Sequence, residues 1–321
     1  MTDVLLATAA ELPDGEPSGE LLLKSFATRG LTAAWACWDD PTVDWSAARV
    51  VAVRSVWDYE RRRDEFLAWS EHVARWSRLL NGPAVFRWNT DKAYLPELAG
   101  LGVPVVPTAL LDVGASLVDV AADLGAAQVV VKPRVAAGGR GLTVQDVGAV
   151  PGSLGFEGFG GLGGLAADEE RGPWVVQPLV ESVRTEGETS VFVIAGVPVS
   201  AARKVPAGDE IRVHEEYGGS TVAVEPTDEA MLLAAETVAA VRQLFDDDLC
   251  YARVDMMRLD DGRLAVGEVE LTEPGLYLDV LPGNADLFAE MVAVVVQEQD
   301  AVLQEAVLGD EGADAVPSPE A

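Results

Sequence analysis

The chain has 321 residues, of which 49% are hydrophobic, and this is ample for a packed enzyme of two or three lobes. Its formal net charge of −30 argues against a nucleic-acid partner, because binding phosphates in bulk requires a basic surface. No apolar run reaches the ~18 residues of a membrane helix, and the N-terminus lacks the pattern of a secretion signal. Cys37 and Cys250 are too few for a disulfide framework, so we expect a cytoplasmic protein with reduced thiols and no membrane partner.

The N-terminal stretch alternates between strand and helix signals. Apolar runs at 3–9 and 50–55 are short and bounded by polar residues, which is typical of buried strands. Between them, residues 20–28 have helical spacing and are followed by Gly30, a natural helix end. This order predicts an α/β lobe.

A longer amphipathic helix is predicted to follow, capped by Asp64 and stopped by Asn81-Gly82-Pro83. Its apolar residues recur every three or four positions: Phe66, Trp69, Val73, Trp76 and Leu80. We interpret the tryptophans as core residues of the lobe, with a ligand platform as the alternative.

A second unit begins after Asn89-Thr90-Asp91-Lys92. A helix is predicted at 116–124, and the glycine-rich segments lie at 137–141 and, more loosely, at 152–164. The predicted strands of this unit are 103–108, 128–134 and 174–180.

The last unit consists mostly of hairpins. Ala195-Gly196 is a two-residue turn signal between strands at 190–194 and 197–204, and Asp260-Asp261-Gly262 separates strands at 249–259 and 264–271. The remaining predicted elements are a helix at 228–245 capped by Thr227, a closing helix at 286–307, and an acidic tail from Gly309 that we expect to be disordered.

The most informative residues are charged side chains inside the apolar strands of the second hairpin. Arg253 and Asp255 alternate in one strand, and Glu268 and Glu270 alternate in the next, so each pair shares a face. If the strands pair, three carboxylates and one guanidinium meet on one side. Such acids are costly to bury without a cation, and oxygen ligands suit Mg²⁺. The alternative is a solvent-facing hairpin with incidental charges.

A second cluster suits polyphosphate. Lys132 ends a buried strand, and Gly138, Gly139 and Gly141 follow in one short loop whose backbone N–H groups can approach phosphate oxygens. The loop matches neither the Walker pattern nor a dinucleotide fingerprint. A simple hairpin turn is the alternative interpretation. We interpret His72 and His214 as structural or surface residues, because neither belongs to a recognisable catalytic pattern.

Taken in order, these motifs resemble the ATP-grasp superfamily over roughly residues 88–290. The shared features are a lysine at a strand end, a glycine loop, a strand ending in Gln177-Pro178, a Gly-Glu-x-Ser motif at 187–190, and a final Asp…Glu-x-Glu. Within the superfamily, the motifs Arg54-Ser55-Val56-Trp57-Asp58-Tyr59, Arg87-Trp88-Asn89-Thr90-Asp91-Lys92 and Arg203-Lys204-Val205-Pro206 resemble the cyclo-ligases that form D-cycloserine from O-ureido-D-serine.

The resemblance implies an α/β (α+β) ATP-grasp fold of three lobes. A Rossmann-like substrate lobe would span 1–88, and two α+β lobes that clasp ATP would span 89–180 and 181–308, followed by a disordered tail at 309–321. Dimers are common in the superfamily, so a homodimer is also an expectation.

It also implies roles for individual residues. The nucleotide would be held by Lys92, Lys132, Gly138, Gly139, Gly141, Gln177, Pro178, Val180 and Glu188. The metal, one or two Mg²⁺ with Mn²⁺ as an alternative, would be bound by Asp255, Glu268 and Glu270. The residues that neutralise the reacting phosphate would be Arg253, Arg212 and Lys204. Two positions depart from common relatives: Glu270 replaces an asparagine, and Gln177 replaces a glutamate.

The implied reaction is an ADP-forming ligation in which an amino-acid-like carboxylate becomes an acyl phosphate and is captured by nitrogen. Ring closure within one molecule is its sharpest form. The alternatives are a ligase that joins two molecules into a dipeptide or amide, and an ATP-binding regulator without turnover. Arg54, Ser55 and Asp58 follow an apolar strand and are predicted to hold the substrate; alternatively, Arg54 and Asp58 pair with each other and brace the loop.

Overall fold

The computed structural model describes residues 2–147, 172–245 and 248–313, and the side chains as far as residue 301. Within these ranges the chain forms three β-sheets with helices packed against them. Each predicted lobe contains one sheet, while the boundaries at 88, 180 and 308 stay predictions. The predicted looser glycine run at 152–164 lies outside the described residues.

The first sheet is parallel and has the strand order β2-β1-β3-β4. Its strands are β1 (Thr2–Thr8), β2 (Ala33–Cys37), β3 (Ala48–Ser55) and β4 (Arg78–Leu79). Helix α1 (Glu20–Thr28) has the predicted bounds, and Gly30 follows it with a φ of 74°. β1 and β3 are almost fully buried, as their continuous apolar runs predict.

The long helix predicted from Asp64 to Leu80 is wrong in its second half. The chain instead forms α2 (Arg63–Val73), the short strand β4 and α3 (Gly82–Asn89). Ser77 donates hydrogen bonds to the carbonyls of Trp45 and Ala48, which draws the chain onto the sheet edge. Trp76 is consequently 65% exposed and not part of the core. Gly82-Pro83 starts a helix here, because proline is tolerated in a first turn.

The second sheet is antiparallel and has the order β5-β8-β6-β7. Its strands are β5 (Ala109–Leu111), β6 (Gln128–Pro133), β7 (Thr143–Asp146) and β8 (Trp174–Pro178), and helix α5 (Leu117–Asp123) packs against it. Helix α4 (Tyr94–Gly100) packs instead into the core of the third sheet. The strand predicted at 103–108 is wrong: Val105 makes only an isolated bridge to Val266. Pro104 and Pro107 lack the N–H groups that a ladder requires, so pairing starts at Ala109.

The third sheet is antiparallel and has the order β11-β10-β9-β12-β13. Its strands are β9 (Glu188–Ile194), β10 (Val197–Val205), β11 (Ser220–Val224), β12 (Tyr251–Arg258) and β13 (Leu264–Glu270). Ala195 and Gly196 both have positive φ, as a tight hairpin turn requires. Helix α6 (Ser182–Thr185) precedes the sheet, and α7 (Asp228–Leu244) is capped by the Thr227 hydroxyl as predicted. β11 carries no clear sequence signal and was not predicted.

The last helix, α8 (Gly283–Ala313), returns to the first lobe. Phe288 on α8 packs edge-on against Phe26 of α1 and also contacts Tyr251 of the third sheet. α8 continues five residues into the predicted disordered tail, and residues 314–321 lie outside the described ranges. Among the described residues, no helix has both the length and the apolar character needed to cross a membrane.

Candidate active site

A cleft of about 340 Å³ lies between the three sheets. It is lined by nearly all of the residues predicted to bind nucleotide or metal or to assist the reaction: Lys92, Lys132, Gly138, Gly139, Gln177, Pro178, Val180, Glu188, Lys204, Arg212, Arg253, Asp255, Glu268 and Glu270. Gly141 is in the same loop but does not line the cleft. Residues far apart in sequence are therefore brought into one site.

The pairing of β12 with β13 creates the acidic wall. Arg253 lies opposite Glu270, and Asp255 lies opposite Glu268, so the predicted face with three carboxylates and one guanidinium exists. Arg253 grips Asp255 with two hydrogen bonds of 2.9 Å and also pairs with Glu270. Ser190 on the neighbouring strand donates to Asp255 at 2.6 Å. Arg253 and Asp255 are buried, and the half-buried Glu268 and Glu270 face the cleft, so the alternative of a solvent-facing hairpin with incidental charges is wrong.

Two buried lysines contact these acids. The Lys92 ammonium lies 2.9 Å from Glu268 Oε1 and donates to the Ala136 carbonyl at 2.7 Å. The Lys204 ammonium lies 2.5 Å from Glu188 Oε1 and 3.2 Å from Asp255 Oδ2. Both ammonium groups are therefore fixed close to the acidic wall.

Burial and charge pairing set the protonation of the wall. Burial alone would raise the pKa of Asp255, but Arg253 and Lys204 outweigh it and hold that pKa well below its usual range. At Glu270, burial raises the pKa to about 7, because the attraction of the nearby Arg253 offsets the effect of burial only in part. For Lys204, burial favours the neutral form, but Asp255 and Glu188 hold the pKa above its ordinary value.

Lys132 differs from the other two lysines. Among the described residues its ammonium has no ion-pair partner, and burial lowers its pKa. A half-buried cation without an ion-pair partner is costly, so an anion such as phosphate would stabilise it. This supports the prediction that Lys132 faces a ligand.

The described residues contain no group of three acidic, histidine or cysteine side chains already arranged to hold a metal ion. Here Asp255, Glu268 and Glu270 contact lysine and arginine instead. The donor set still fits Mg²⁺, because that ion commonly uses one or two carboxylates and completes its shell with water and phosphate oxygens. A closed protein cage is therefore not required.

An apolar pocket lies beside Gln177 at one end of the cleft. Val130, Ile211, Val213 and Met257 line it, from the second and third sheets. Gln177 is 3% exposed, and its amide nitrogen donates to Thr108 at 2.8 Å, which fixes the side chain. An apolar pocket with an oriented amide suits a purine base.

The glycine loop requires glycine at its centre. Gly138 and Gly139 have φ values of 61° and 69°, in the left-handed region. A Cβ atom on Gly139 would lie 3.1 Å from His214 Nδ1. His214 lines the cleft, and burial lowers its pKa to about 4; its Nδ1 has no hydrogen-bond partner within the described ranges. His214 therefore lies at the cleft beside the glycine loop, and the interpretation that it is a structural or surface residue stays a prediction.

The predicted substrate residues do not line the cleft. Arg54 is fully buried, and its guanidinium donates to Glu16 at 2.9–3.0 Å and to the Pro274 carbonyl at 2.6 Å. Ser55 is buried against Thr8. Asp58 pairs with Arg62 at 2.9 Å, whereas Arg54 pairs with Glu16. The alternative in which Arg54 and Asp58 pair with each other is therefore wrong. Direct substrate contact by these three residues stays a prediction.

Other residues of the same lobe reach the cleft; Trp57 and Tyr59 belong to the 54–59 motif but have no predicted role, and Glu16 belongs to no motif. They are Glu16, Trp57 and Tyr59, together with Glu273 beyond the acidic strands. The Trp57 indole donates to the Glu273 carbonyl at 3.1 Å, and Tyr59 hydrogen-bonds the Glu273 carboxyl. Burial raises the pKa of Glu273 to about 8. Its position after the alternating pattern of β13 explains why periodicity did not reveal it.

Comparisons with known proteins agree with this geometry. Residues 105–275 match the family described as prokaryotic glutathione synthetase, ATP-grasp domain, and residues 4–81 match the N-terminal domain of D-cycloserine synthetase DcsG. The chain is 34% identical over 277 residues to the cycloserine biosynthesis protein DcsG of Streptomyces lavendulae, covering 85% of this chain and 91% of that protein. The chain belongs to the ATP-grasp family. It is an ATP-dependent ligase, as its motifs predicted.

Solved structures support the same assignment of this ATP-grasp ligase. The crystal structure of D-cycloserine synthetase DcsG aligns with a TM-score of 0.78 at 31% identity, covering 91% of this chain and 99% of that one. D-alanine–D-alanine ligase from Bacillus anthracis aligns with a TM-score of 0.61 at 14% identity, covering 94% and 100%. The second likeness shows the fold alone. The predicted ATP-grasp fold is confirmed.

Proposed function

We propose that this ATP-grasp ligase closes a ring within one amino-acid-like substrate, as a D-cycloserine-forming cyclo-ligase does. One observation carries the proposal: the lobe that matches the DcsG N-terminal domain supplies Glu16, Trp57 and Tyr59 to the cleft. The similarity thus includes the wall opposite the ATP-binding residues. That wall is where a substrate distinct from ATP would lie.

The nucleotide would occupy the cleft lengthwise. The purine would enter the apolar pocket beside Gln177, Pro178 and Val180. Glu188 would accept hydrogen bonds from the ribose hydroxyl groups. A carboxylate has about four acceptor positions, so Glu188 can do this while paired with Lys204. The triphosphate would then lie between the ammonium groups and the loop formed by Gly138, Gly139 and Gly141.

Asp255, Glu268 and Glu270 would hold one or two Mg²⁺, or Mn²⁺ in their place. The bound ion supplies charge neutralisation and alignment of the phosphate groups. In its presence, Lys92 would turn from Glu268 toward phosphate, since one ammonium has three donors. Arg253 keeps Asp255 ionised and correctly oriented throughout.

The reaction needs no nucleophilic side chain. A substrate carboxylate oxygen forms a bond to the γ-phosphorus while the bond to ADP breaks, and the substrate nitrogen then attacks the acyl carbon and releases phosphate. Lys204, Arg212 and Arg253 would neutralise the charge that develops, and the closed cleft would exclude water. The protein thereby contributes alignment and electrostatics.

Incubation with O-ureido-D-serine, ATP and Mg²⁺, followed by mass spectrometry, tests the proposal. We expect ADP and a product smaller than the amino acid. A product larger than the substrate would show that two molecules are joined, the second candidate, which the match to the glutathione synthetase ATP-grasp domain favours. Release of AMP would contradict the acyl-phosphate route.

A small-molecule substrate agrees with similarity to a biosynthetic protein. We further propose a cytoplasmic location and a homodimer. Cell fractionation and light scattering, respectively, test these two points.

A further inference from the structure

The glycine loop is tied to the substrate lobe by one acid outside the cleft. Glu60 lies in the short turn after β3, and its Oε2 accepts the Ala137 N–H at 2.8 Å. Its other oxygen, Oε1, pairs with the Arg140 guanidinium. The Glu60 side chain is 10% exposed and the Arg140 side chain 27%, so the carboxylate end of this ion pair is largely buried. The Glu60 side chain does not line the cleft and therefore acts on a ligand only through the loop.

Arg140 adds a second connection to the same lobe. Its Nη2 donates to the Trp57 carbonyl at 2.6 Å. The Trp57 indole in turn donates to the carbonyl of Glu273, just beyond the acidic strands. Trp57 thus connects the glycine loop, through Arg140, with the segment after β13 that contains Glu273.

The opposite side of the loop is also held. Lys92 donates to the Ala136 carbonyl, and Gly139 lies against His214. Lys92 is expected to move toward phosphate during turnover, so this contact is not permanent. Glu60 does not line the cleft, and Arg140, which does, has its guanidinium engaged by Glu60 and the Trp57 carbonyl.

We propose that Glu60 and Arg140 are positioning residues that hold the glycine loop closed over the triphosphate. Closure then depends on an ordered substrate lobe, because both anchors, Glu60 and the Trp57 carbonyl, belong to it. The closed loop would keep water from hydrolysing the acyl phosphate before the substrate nitrogen attacks the acyl carbon. This inference rests on the proposed ATP-dependent ring closure.

Limited trypsin digestion tests the contact without turnover. Glu60→Gln keeps an acceptor for the Ala137 N–H but loses the charge that pairs with Arg140. With a non-hydrolysable ATP analogue bound, we expect cleavage after Arg140 to be about tenfold faster. The free energy of a hydrogen bond to a charged group corresponds to roughly a tenfold change in the fraction of molecules with an open loop. Mass spectrometry of the fragment ending at Arg140 gives the rate.

Glu71→Gln is the matched control, because Glu71 pairs with Arg87 on the exposed surface of the same lobe. It should leave the cleavage rate unchanged. Arg140→Lys retains the cleavage site and the charge but lacks the planar guanidinium fork that spans Glu60 and the Trp57 carbonyl, so it should fall between wild type and Glu60→Gln. Equal cleavage of Glu60→Gln and Glu71→Gln would overturn the proposal.

Steady-state kinetics separates positioning from general support of the fold. Glu60→Gln should raise KM for ATP about tenfold, and it should raise the number of ADP molecules formed per molecule of cyclised product. Its melting temperature should equal that of Glu71→Gln. An unchanged ratio of ADP to product would also overturn the proposal. If trypsin cleaves Glu60→Gln faster than wild type but wild type cyclises no candidate substrate, the loop contact is supported and only the proposed ring closure is rejected.

Discussion

Asp255 is the residue on which the charged network of the cleft converges. It accepts hydrogen bonds from Arg253, Lys204 and Ser190, and it is 3% exposed. Its pKa is held low because two cations lie against it. Any neutral replacement leaves two buried cations with fewer partners.

Asp255→Asn should therefore reduce both stability and activity. We expect about 3 kcal/mol less stability in urea unfolding, because one partner of a buried ion pair is removed. ADP release at saturating substrate should fall about 100-fold. Asp261→Asn is the control, since Asp261 pairs with Arg263 on an exposed hairpin; equal behaviour of the two variants would contradict this view of Asp255.

His214 gives a pH-dependent prediction. Its folded-state pKa is about 4 against an ordinary value of 6.5, so between these values the unfolded chain binds the proton and the folded chain does not. Stability is therefore lost as the pH falls from 6.5 toward 4. His214→Gln should reduce the stability difference between pH 7 and pH 5 by about 2 kcal/mol. Parallel pH dependence of both proteins in urea unfolding would contradict the prediction.

Single residues were predictable where a repeat placed them. The alternation of Arg253 with Asp255 and of Glu268 with Glu270 follows from the two-residue period of a strand, and the pairing register confirms it. Glu16 and Glu273 lie in connecting segments without a period. The contact of Glu16 with Arg54 depends on the packing of the first lobe, and that of Glu273 with Trp57 on how two lobes meet. No local pattern contains that information.

At the scale of elements, the glycine loop has the strictest backbone requirement. Gly139 has a positive φ and faces His214 closely, so Gly139→Ala should displace the loop. A side chain at such a φ costs about 1–2 kcal/mol. We expect KM for ATP to rise about tenfold, measured by ADP release. Gly100→Ala is the control, because nothing lies near a Cβ at that site; an unchanged KM in Gly139→Ala would contradict the constraint.

Elements were predicted well when both ends carried a signal. Helix α1 and the hairpin around Ala195 had clear boundaries and appear as expected. The helix predicted through Trp76 failed because apolar spacing continued past the true end at Val73, where Ser77 bonds to the sheet edge. Tertiary hydrogen bonds outweighed local periodicity there.

At the scale of the whole molecule, α8 joins the first lobe to the third sheet. Phe288 is fully buried against Phe26, Tyr251 and the Arg54 guanidinium. Phe288→Ala should cost about 3–5 kcal/mol, because it leaves a cavity in a core shared by two lobes. The neighbouring control Leu287→Ala removes a 37% exposed side chain and should cost much less. Similar urea midpoints for the two variants would contradict a shared core.

The return of α8 also has a consequence for biosynthesis. The parallel sheet of the first lobe is translated before the other two sheets, yet Phe288, Val292 and Val296, which complete its core, are translated after them. While the nascent chain is still on the ribosome, that face of the sheet stays uncovered. The first lobe therefore reaches its native packing only after the second and third sheets have been synthesised.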